Sequence, residues 1–435
     1  MIDALFYNKR SLAISCSHFF YRIDFACSTQ ELLFVSSFCV SGLTSDPLGM
    51  MPKVSEHHGD SKVVMTAPLS LDGDSNDGSY VAPNILRHVL SLVNNVRPGS
   101  DLTRFQLPPM FNLPKSQLQL FGESAYCVAS SDVLENCWKA ETPLARFTSV
   151  VSWSISTTRP AVFGAAPYNP VLGETHHVSR GDLHFLLEQV SHHPPVSALH
   201  MTDDAETVEM VWCHQPQPRF YGASVETEVH GKRELRLLRL RETYVMNCPK
   251  LLIRLLPLPG INWSGPVRIT CQESGLLAEL SYGGHSLLGR NRRTVKGRIL
   301  QSSSSTVLYE IYGHWDRTVT IKDINNGKTT EIYNARNMIS RLKAPIIRDP
   351  KGILPTESAA VWSEVTEAIL RKDWERAGEE KRAVEEKQRA LQKQRESSGE
   401  NWVPKHFNLS YNKEDGWCCS PLQRTVSPAP IEVLV

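Results

Sequence analysis

The feature that most constrains this chain is a long succession of short strand-like segments between residues 148 and 345. Apolar and β-branched runs alternate with turn residues about every ten positions, which is typical of hairpins in an antiparallel sandwich or barrel. So many strands in one continuous stretch favour a large barrel. The clearest predicted strands are residues 208–212, 234–240, 250–256, 267–271, 307–312 and 318–321. We therefore predict a mainly β fold built on a large antiparallel barrel.

The region after these strands changes to a helical pattern. Between residue 357 and about residue 396, apolar side chains recur at helical spacing. They are Trp362, Val365, Ile369, Leu370 and Trp374. Residues 376–396 are mostly charged, which is typical of a solvated helix face. Residues 411–435 are polar and contain prolines, so we expect an exposed tail there and prefer this to acylation of Cys418 and Cys419.

The N-terminal part contains one amphipathic segment after a long extension. Residues 1–79 lack a sustained apolar period and end in turn-forming residues, so we expect a poorly ordered extension outside the fold. Residues 80–110 then read as a helix and a linker. The apolar face of that helix consists of Ile85, Leu86, Val89, Leu90, Leu92, Val93 and Val96. Two interpretations are open, namely an ordinary docked helix and a lid over an apolar cavity.

The composition excludes several functional classes. The 435 residues are 41% apolar and carry a net charge of +1, so no global field attracts the chain to nucleic acid. The sequence has no apolar span of ~20 residues that could cross a bilayer. Its ten cysteines are scattered without a C-x-x-C pair, which suggests neither a zinc ribbon nor a disulfide framework. We expect reduced thiols in the cytosol, with no metal and no cofactor.

The most unusual string is Glu-Gln-Val-Ser-His-His-Pro-Pro at residues 188–195, where an apolar strand ends. Pro194 and Pro195 fix the backbone and remove two donors, so a central β-ladder cannot continue through them. His192 and His193 are therefore held with little conformational freedom. Hydrogen bonding to carbonyls, zinc ligation and donation to a phosphate are all open to them. Zinc is disfavoured because adjacent strand residues face opposite sides and no third ligand lies at a suitable spacing.

Two further groupings carry polar side chains. Asn-Pro-Val-Leu-Gly-Glu at residues 169–174 predicts a tight turn that presents one amide and one carboxylate. Lys381, Glu385 and Arg389 are spaced four residues apart, so on a helix they share one stripe about 12 Å long. That stripe is either a series of surface ion pairs or two cations that clamp a phosphate, with a carboxylate between them.

Together these strings resemble the oxysterol-binding protein-related family. The matching strings, in the family's order, are residues 97–102, 169–174, 188–195, 381–389 and 402–407. The string at residues 188–195 matches the family's signature and is highly specific. The resemblance covers about residues 80–410 and places the lipid-binding domain at residues 111–410. It indicates the short form, without a preceding pleckstrin-homology domain or ankyrin repeats, and residues 163–170 are similar to the plant branch.

The resemblance implies a nearly closed barrel with a lipid tunnel, an N-terminal lid helix and C-terminal helices, α+β overall. It implies that sterol and phosphatidylinositol 4-phosphate (PI4P) bind alternately and are carried between membranes. The implied protein is cytosolic and contacts the endoplasmic reticulum or other membrane surfaces transiently. An endoplasmic-reticulum anchor protein is retained among the partners, although the sequence has no clear acidic two-phenylalanine motif.

The family's headgroup contacts carry over to particular positions of this chain. They are His192, His193, Asn169, Lys381 and Arg389, with Glu385 and Glu174 as supporting members. One position departs from the pattern, because the lysine that the family usually has just ahead of the Asn-Pro turn is Ala166 here. This departure predicts weaker headgroup binding.

Two other functional classes compete with a lipid carrier. An enzyme is disfavoured, since residues 283–289 match a nucleophile elbow only in part and the chain has no Walker loop, G-x-G-x-x-G or H-E-x-x-H. A lipid sensor that binds sterol or phosphoinositide without net transfer is the closer alternative. Transfer between two liposome populations separates a sensor from a carrier.

Overall fold

The chain folds around one large β-sheet, as shown by a computed structural model that describes residues 63–71, 90–91, 96–128, 132–283, 293–340, 342–413 and 416–434. The strands are β1 (Val63–Val64), β2 (Asn112–Ser116), β3 (Ala166–Tyr168), β4 (Thr175–Arg180), β5 (Leu183–His192), β6 (Pro195–Asp203), β7 (Val208–Phe220), β8 (Ser224–His230), β9 (Arg233–Leu237), β10 (Glu242–Met246), β11 (Lys250–Arg254), β12 (Gly260–Cys271), β13 (Leu276–Tyr282), β14 (Thr294–Gln301), β15 (Thr306–His314), β16 (Thr318–Asp323), β17 (Thr329–Asn334), β18 (Ile346–Ile347), β19 (Phe407–Asn412), β20 (Gly416–Pro421) and β21 (Ile431–Glu432). Seventeen of them form the main sheet, and β2–β3 and β19–β20 are separate pairs. Each strand predicted from the sequence coincides with one of these elements.

The main sheet is an antiparallel meander in which one long strand changes partner. Strands β4 to β7 pair in order. The first half of β7 pairs with β9 and its second half with β8. These two paths meet again at β12, which pairs with both β10 and β11, and the meander then continues from β12 to β17. The mainly β prediction is confirmed.

The helices pack against the sheet. They are α1 (Gln117–Tyr126), α2 (Asp132–Lys139), α3 (Pro143–Ser156), α4 (Ala335–Met338), α5 (Ser358–Val361), α6 (Ser363–Leu370) and α7 (Trp374–Ser398). Trp153 of α3 packs against Trp212 of β7, with ring centroids 5.8 Å apart and the ring planes tilted by 46°. On the same helix, Ser152 donates to the carbonyl of Ile332 on β17. One helix can contact strands so distant in sheet order only because the sheet curves around it.

The C-terminal residues are built into the fold, so the expectation of an exposed tail at residues 411–435 is wrong. Strand β20 pairs with β19, and β21 pairs in parallel with β4 and antiparallel with β18. Ile431 and Val433 are buried against the main core. A two-residue strand has no periodic signal of its own, and its pairing depends on partners about 85 and 250 residues away.

Two further boundaries differ from the sequence expectation. Residues 63–71 belong to the fold rather than to the extension at residues 1–79, because β1 pairs with β18 and the carbonyl of Ala67 accepts from Lys115 Nζ at 2.8 Å. The predicted helix over residues 357–396 is three helices, α5 to α7. The break before α7 lies at Lys372, which has a φ of 60°, and at Asp373, which caps α7 through the backbone N–H of Arg376.

The predicted lid helix falls largely outside the described residues, including Ile85, Leu86, Val89 and Val93. Leu90 is described, is helical and packs against a buried pair formed by Phe220 and Leu255. Across the described residues, no helix is both long and apolar enough to span a membrane.

Candidate functional site

The His-His turn lies at the end of the β5–β6 hairpin. His192 is half-buried and His193 is exposed, with their ring centroids 4.6 Å apart. His192 Nδ1 donates to the carbonyl oxygen of Pro170 at 3.0 Å, and because a carbonyl can only accept, this bond assigns the proton to Nδ1. The turn at residues 169–174 is thereby attached directly to the first histidine, and Nε2 of that ring is left to face a ligand.

The turn at residues 169–174 is held by its own carboxylate. Glu174 is buried and accepts from Ser116 Oγ at 2.5 Å, Ser358 Oγ at 2.6 Å, Trp362 Nε1 at 2.9 Å and its own turn's Val171 N–H at 3.0 Å. Burial raises the pKa of Glu174, and these hydrogen bonds oppose the increase. The side chain points into the protein, so it supports the site by holding the turn. Asn169 at the start of the turn is exposed.

The signature carboxylate has the same kind of role. Glu188 is fully buried and accepts from the backbone N–H groups of Lys405 and His406 at 2.8 and 2.9 Å. It therefore fixes the segment at residues 402–407, which follows the last helix. Trp402 of that segment lies against Gly173, where a Cβ would approach the indole to 2.5 Å and where φ is +78°. The strings at residues 169–174, 188–195 and 402–407 are thus neighbours in space. A glycine is required at position 173 by its positive φ and by its contact with Trp402.

Helix α7 carries the predicted cation stripe. Lys381 Nζ donates to the carbonyl of Leu107 at 2.6 Å and to Asn112 Oδ1 at 2.8 Å. Burial lowers the pKa of Lys381, and the Glu385 carboxylate opposes that decrease. Glu385 accepts from Gln106, and Arg389, which is about half exposed, lies 3.9 Å from Glu385.

Ala166 lies next to this stripe. Its backbone pairs with Asn112, the residue that accepts from Lys381, and its carbonyl accepts from the Asn112 amide at 3.1 Å. Ala166, the position at which the family usually has lysine, is therefore connected to Lys381 through a single residue, Asn112. The structure places Asn169, Lys381 and the His-His turn around one end of the sheet, connected through Pro170 and Asn112.

A groove of about 570 Å³ separates the His-His turn from helix α7. His192 and His193 form one side, Gln388, Gln392 and Arg395 form the helix side, and residues 400–409 contribute much of the remaining lining. Lys381 precedes Gln388 by seven residues on the same helix, which corresponds to about 10 Å. Lys381 and Glu385 therefore precede the lining residues of α7, and Arg389 lies in sequence between Gln388 and Gln392, which line the groove.

The lining of the groove carries Arg395 together with Glu396 and Glu400, and the pKa values of both histidines are lowered there. Burial lowers the pKa of His192, and the neighbouring His193 lowers it further. Burial also lowers the pKa of His193, with a contribution from Arg104. An anion that enters this groove would favour the protonated rings and offset both effects.

Sequence reasoning missed several residues of this site. Arg104 lowers the pKa of His193, and Gln106 and Asn112 connect residues 106–112 to helix α7. Arg395 lies over the ring of Trp402 at 5.5 Å. No spacing rule relates Arg104 to a histidine 89 positions later, so only the fold reveals this contact. Arg395 could have been found, because it extends the charged helix beyond Arg389.

A β-barrel with a polar groove at the end of one hairpin is the arrangement expected of a lipid-binding protein. The family model described as oxysterol-binding protein matches residues 89–423. The chain is 51% identical over 375 residues to oxysterol-binding protein-related protein 4B of Arabidopsis thaliana, covering 85% of this chain and 97% of that protein. It is 50% identical to protein 4A of the same plant over 86% of this chain. The chain belongs to the oxysterol-binding protein family.

Solved structures have the same fold. The Osh1 ORD domain in complex with cholesterol matches with a TM-score of 0.65 at 22% identity, covering 82% of this chain and 90% of that one. The Osh3 ORD in complex with PI(4)P from Saccharomyces cerevisiae matches with a TM-score of 0.60 at 18% identity, covering 84% and 95%. At these identities the comparison establishes the barrel fold.

Proposed function

We propose that this protein carries sterol and PI4P in alternation between the cytosolic faces of two membranes. The observation that carries the proposal is the groove itself, across which two neutral histidines face helix α7. This helix lines the groove with Arg395 and also bears Lys381 and Arg389. When an anion favours protonation of the His192 ring, its Nε2–H joins the Asn169 amide and the cations of the helix as donors to a phosphate monoester. The complexes of the Osh1 ORD domain with cholesterol and of the Osh3 ORD with PI(4)P support both ligands.

The physical need for a carrier follows from the desorption cost of a lipid. Moving a sterol with ~400 Å² of buried apolar surface from a bilayer into water costs ~10 kcal/mol of transfer free energy, so its spontaneous transfer is slow. A barrel interior replaces the apolar contacts of the bilayer. A second lipid whose phosphate binds in the groove competes for the same interior, and this competition couples the two lipid gradients without covalent chemistry.

Membrane contact is assigned to one end of the barrel. Tyr221, Leu256 and Leu258 are exposed there to 49%, 47% and 54%. The two turns that carry them are joined by hydrogen bonds from Leu255 and Leu256 to the carbonyl of Ala223. The buried Phe220 and Leu255 against which Leu90 packs immediately precede Tyr221 and Leu256.

Charge at the same end favours a bilayer with anionic lipid. Arg97 and Arg219 are exposed, and the segment after Arg97 is bonded to β7 through Gly99 N–H and the carbonyl of Phe220 at 2.6 Å. Exposed apolar side chains beside cations suit insertion at a negatively charged interface.

Transfer between two liposome populations tests the proposal. Donor liposomes contain a fluorescent sterol, acceptor liposomes contain PI4P, and both lipids are followed with time. The proposal expects each lipid to move faster in the presence of the opposite gradient. Leu256→Asp with Leu258→Asp should slow transfer and leave binding of a water-soluble short-chain PI4P unchanged. Binding of both lipids without net transfer would identify a sensor, and appearance of hydrolysed lipid would identify an enzyme.

A further inference from the structure

A buried arginine lies on the inner wall of the barrel. Arg233 begins β9, where it pairs with Trp212 of β7 and Met246 of β10, and all three side chains are buried. Leu235 and Leu237, on the same face of β9, belong to the main core. The exposure of Arg233 is only 8%. Its guanidinium carbon lies 4.5 Å from the ring centroid of Trp212 and 5.9 Å from that of Phe121.

This cation has no acidic partner among the residues that the structure describes. Its Nε atom is buried without a hydrogen bond. Two other arginines provide the contrast. Arg146, also buried, donates to both oxygens of Glu242, and Arg236, on the outer face of the same strand, pairs with Glu209 and Glu234. The chain therefore pairs the arginines around this position and leaves Arg233 with aromatic contacts alone.

Further unsatisfied polar atoms surround Arg233. His214 lies two residues along β7 from Trp212, and its ring centroid is 4.4 Å from that of Phe121. Burial and the adjacent Arg233 lower the pKa of His214 to about 3, so its ring is neutral. In the described part of the chain, His214 Nδ1, Trp212 Nε1 and Trp153 Nε1 are all buried without a partner. Buried polar groups are normally satisfied, so a cluster of them marks a place where a ligand supplies the missing acceptors.

We infer that the inner wall at Arg233 binds an acidic, acceptor-only group of a lipid, such as a carboxylate or a sulfate. Such a group accepts from the guanidinium and from an indole N–H at once, and it neutralises the buried charge. A neutral hydroxyl supplies an acceptor but leaves the charge uncompensated. The inference rests on the proposed function only in taking the barrel interior as the lipid site. It shares no residue with the groove at His192 and His193.

Three lipids with one ring system separate this inference from the proposed function. Cholesterol, cholesteryl sulfate and cholesteryl hemisuccinate are each presented on separate liposomes, and the lipid bound by the protein is quantified after the liposomes are removed. The inference expects the two acidic sterols to bind at least tenfold more tightly than cholesterol. Arg233→Leu should abolish that preference and retain cholesterol binding. The control Arg268→Gln, an exposed arginine on the outer face of β12, should keep the preference.

The thermal midpoint of the lipid-free protein shows whether a loss of binding in Arg233→Leu is caused by misfolding. If Arg233 serves a ligand, Arg233→Leu should leave the thermal midpoint unchanged or raise it, because an unpaired buried charge is removed. Arg233→Gln provides a second, polar replacement with the same expected loss of preference. Equal binding of all three sterols by the natural protein, or an equal loss of all three in Arg233→Leu, would overturn the inference. Failure to bind cholesterol, with the acidic sterols still bound, would contradict the proposed function alone.

Discussion

The two sides of the groove are held in different ways. On the hairpin side, Glu174 and Glu188 are buried and together accept six hydrogen bonds from side chains and backbone. On the helix side, Ala377 is the only buried residue of α7, and Lys381 is bonded to a carbonyl and to Asn112. The motifs on the hairpin side therefore supply buried carboxylates that hold the fold, and the helix side supplies Lys381 and Arg389, which lack a close carboxylate partner within the residues that the structure describes.

This contrast predicts that the buried carboxylates mainly affect stability and that the cations of α7 mainly affect ligand binding. A buried carboxylate with several donors is strongly coupled to folding, because removing it leaves every donor unsatisfied. Arg389 is about half exposed and Lys381 has only two neutral acceptors among the described residues, so both contribute less to folding than the buried carboxylates and gain a close charged partner only when an anion binds. Similar changes in the free energy of unfolding for substitutions on the two sides of the groove would contradict this distinction.

The largest expected effect is on the hairpin side. Glu174→Ala should lower the free energy of unfolding by about 3 kcal/mol or more, since two hydroxyls, an indole N–H and a backbone N–H lose their acceptor. Urea unfolding measures this value. The exposed Glu386 on α7 provides the control, and Glu386→Ala should change stability by less than about 0.5 kcal/mol. Equal values for the two variants would remove the distinction between the sides.

On the helix side we expect a loss of binding in place of a loss of stability. Lys381→Ala should weaken PI4P binding about tenfold, because a hydrogen bond to a charged group contributes ~1.5–3 kcal/mol. Arg389→Ala should have a smaller effect, since this side chain is about half exposed and pairs only at 3.9 Å with Glu385. Titration with short-chain PI4P checks both variants. A larger loss for Arg389→Ala would mean that the phosphate lies further along the helix than we place it.

The pH dependence of binding tests the state of the two histidines. Their pKa values are lowered in the empty protein, so both rings are neutral at pH values where a free histidine begins to protonate. A phosphate with about two negative charges favours the protonated rings, so binding takes up protons and affinity increases as pH falls. PI4P affinity should rise several-fold between about pH 7.5 and 6.5, and sterol affinity should stay constant. A flat PI4P profile would show that the rings bind without protonation.

The smallest expected effect is a gain. Ala166→Lys should strengthen PI4P binding a few-fold, because the new ammonium lies near Lys381 and both can contact one phosphate. The gain should shrink at high salt, where the part due to exposed charge is screened. Competitive displacement of a fluorescent sterol at two salt concentrations measures it. No gain at low salt would indicate that another cation, such as Arg104, already occupies this role.

Much of the barrel could be predicted because its strands are separated by local turn signals. The 208–212 and 318–321 strands carry their pattern in their own residues, whereas β21 exists only because β4 and β18 are there to pair with. The helix break at Lys372 was missed because a positive φ in a non-glycine residue has no sequence signature.

The site was predicted from motif residues, and their orientation was not. Glu174 and His192 both belong to strings that resemble the family, yet one side chain points inward and the other faces the groove. Pairing and burial of neighbouring elements decide this orientation, so sequence spacing does not reveal it. Arg233 was missed for a related reason, since a lone arginine in a strand is ordinarily expected on the solvent face.

The most direct test of the central claim is the double substitution His192→Ala with His193→Ala. PI4P displacement of a fluorescent sterol and direct binding of that sterol are both measured, with the exposed His230→Ala as the control. Our account predicts that PI4P affinity falls at least about tenfold and that sterol affinity and the unfolding midpoint remain close to those of the natural protein. An equal loss of both lipids would contradict it and would assign the two histidines a structural role in the barrel.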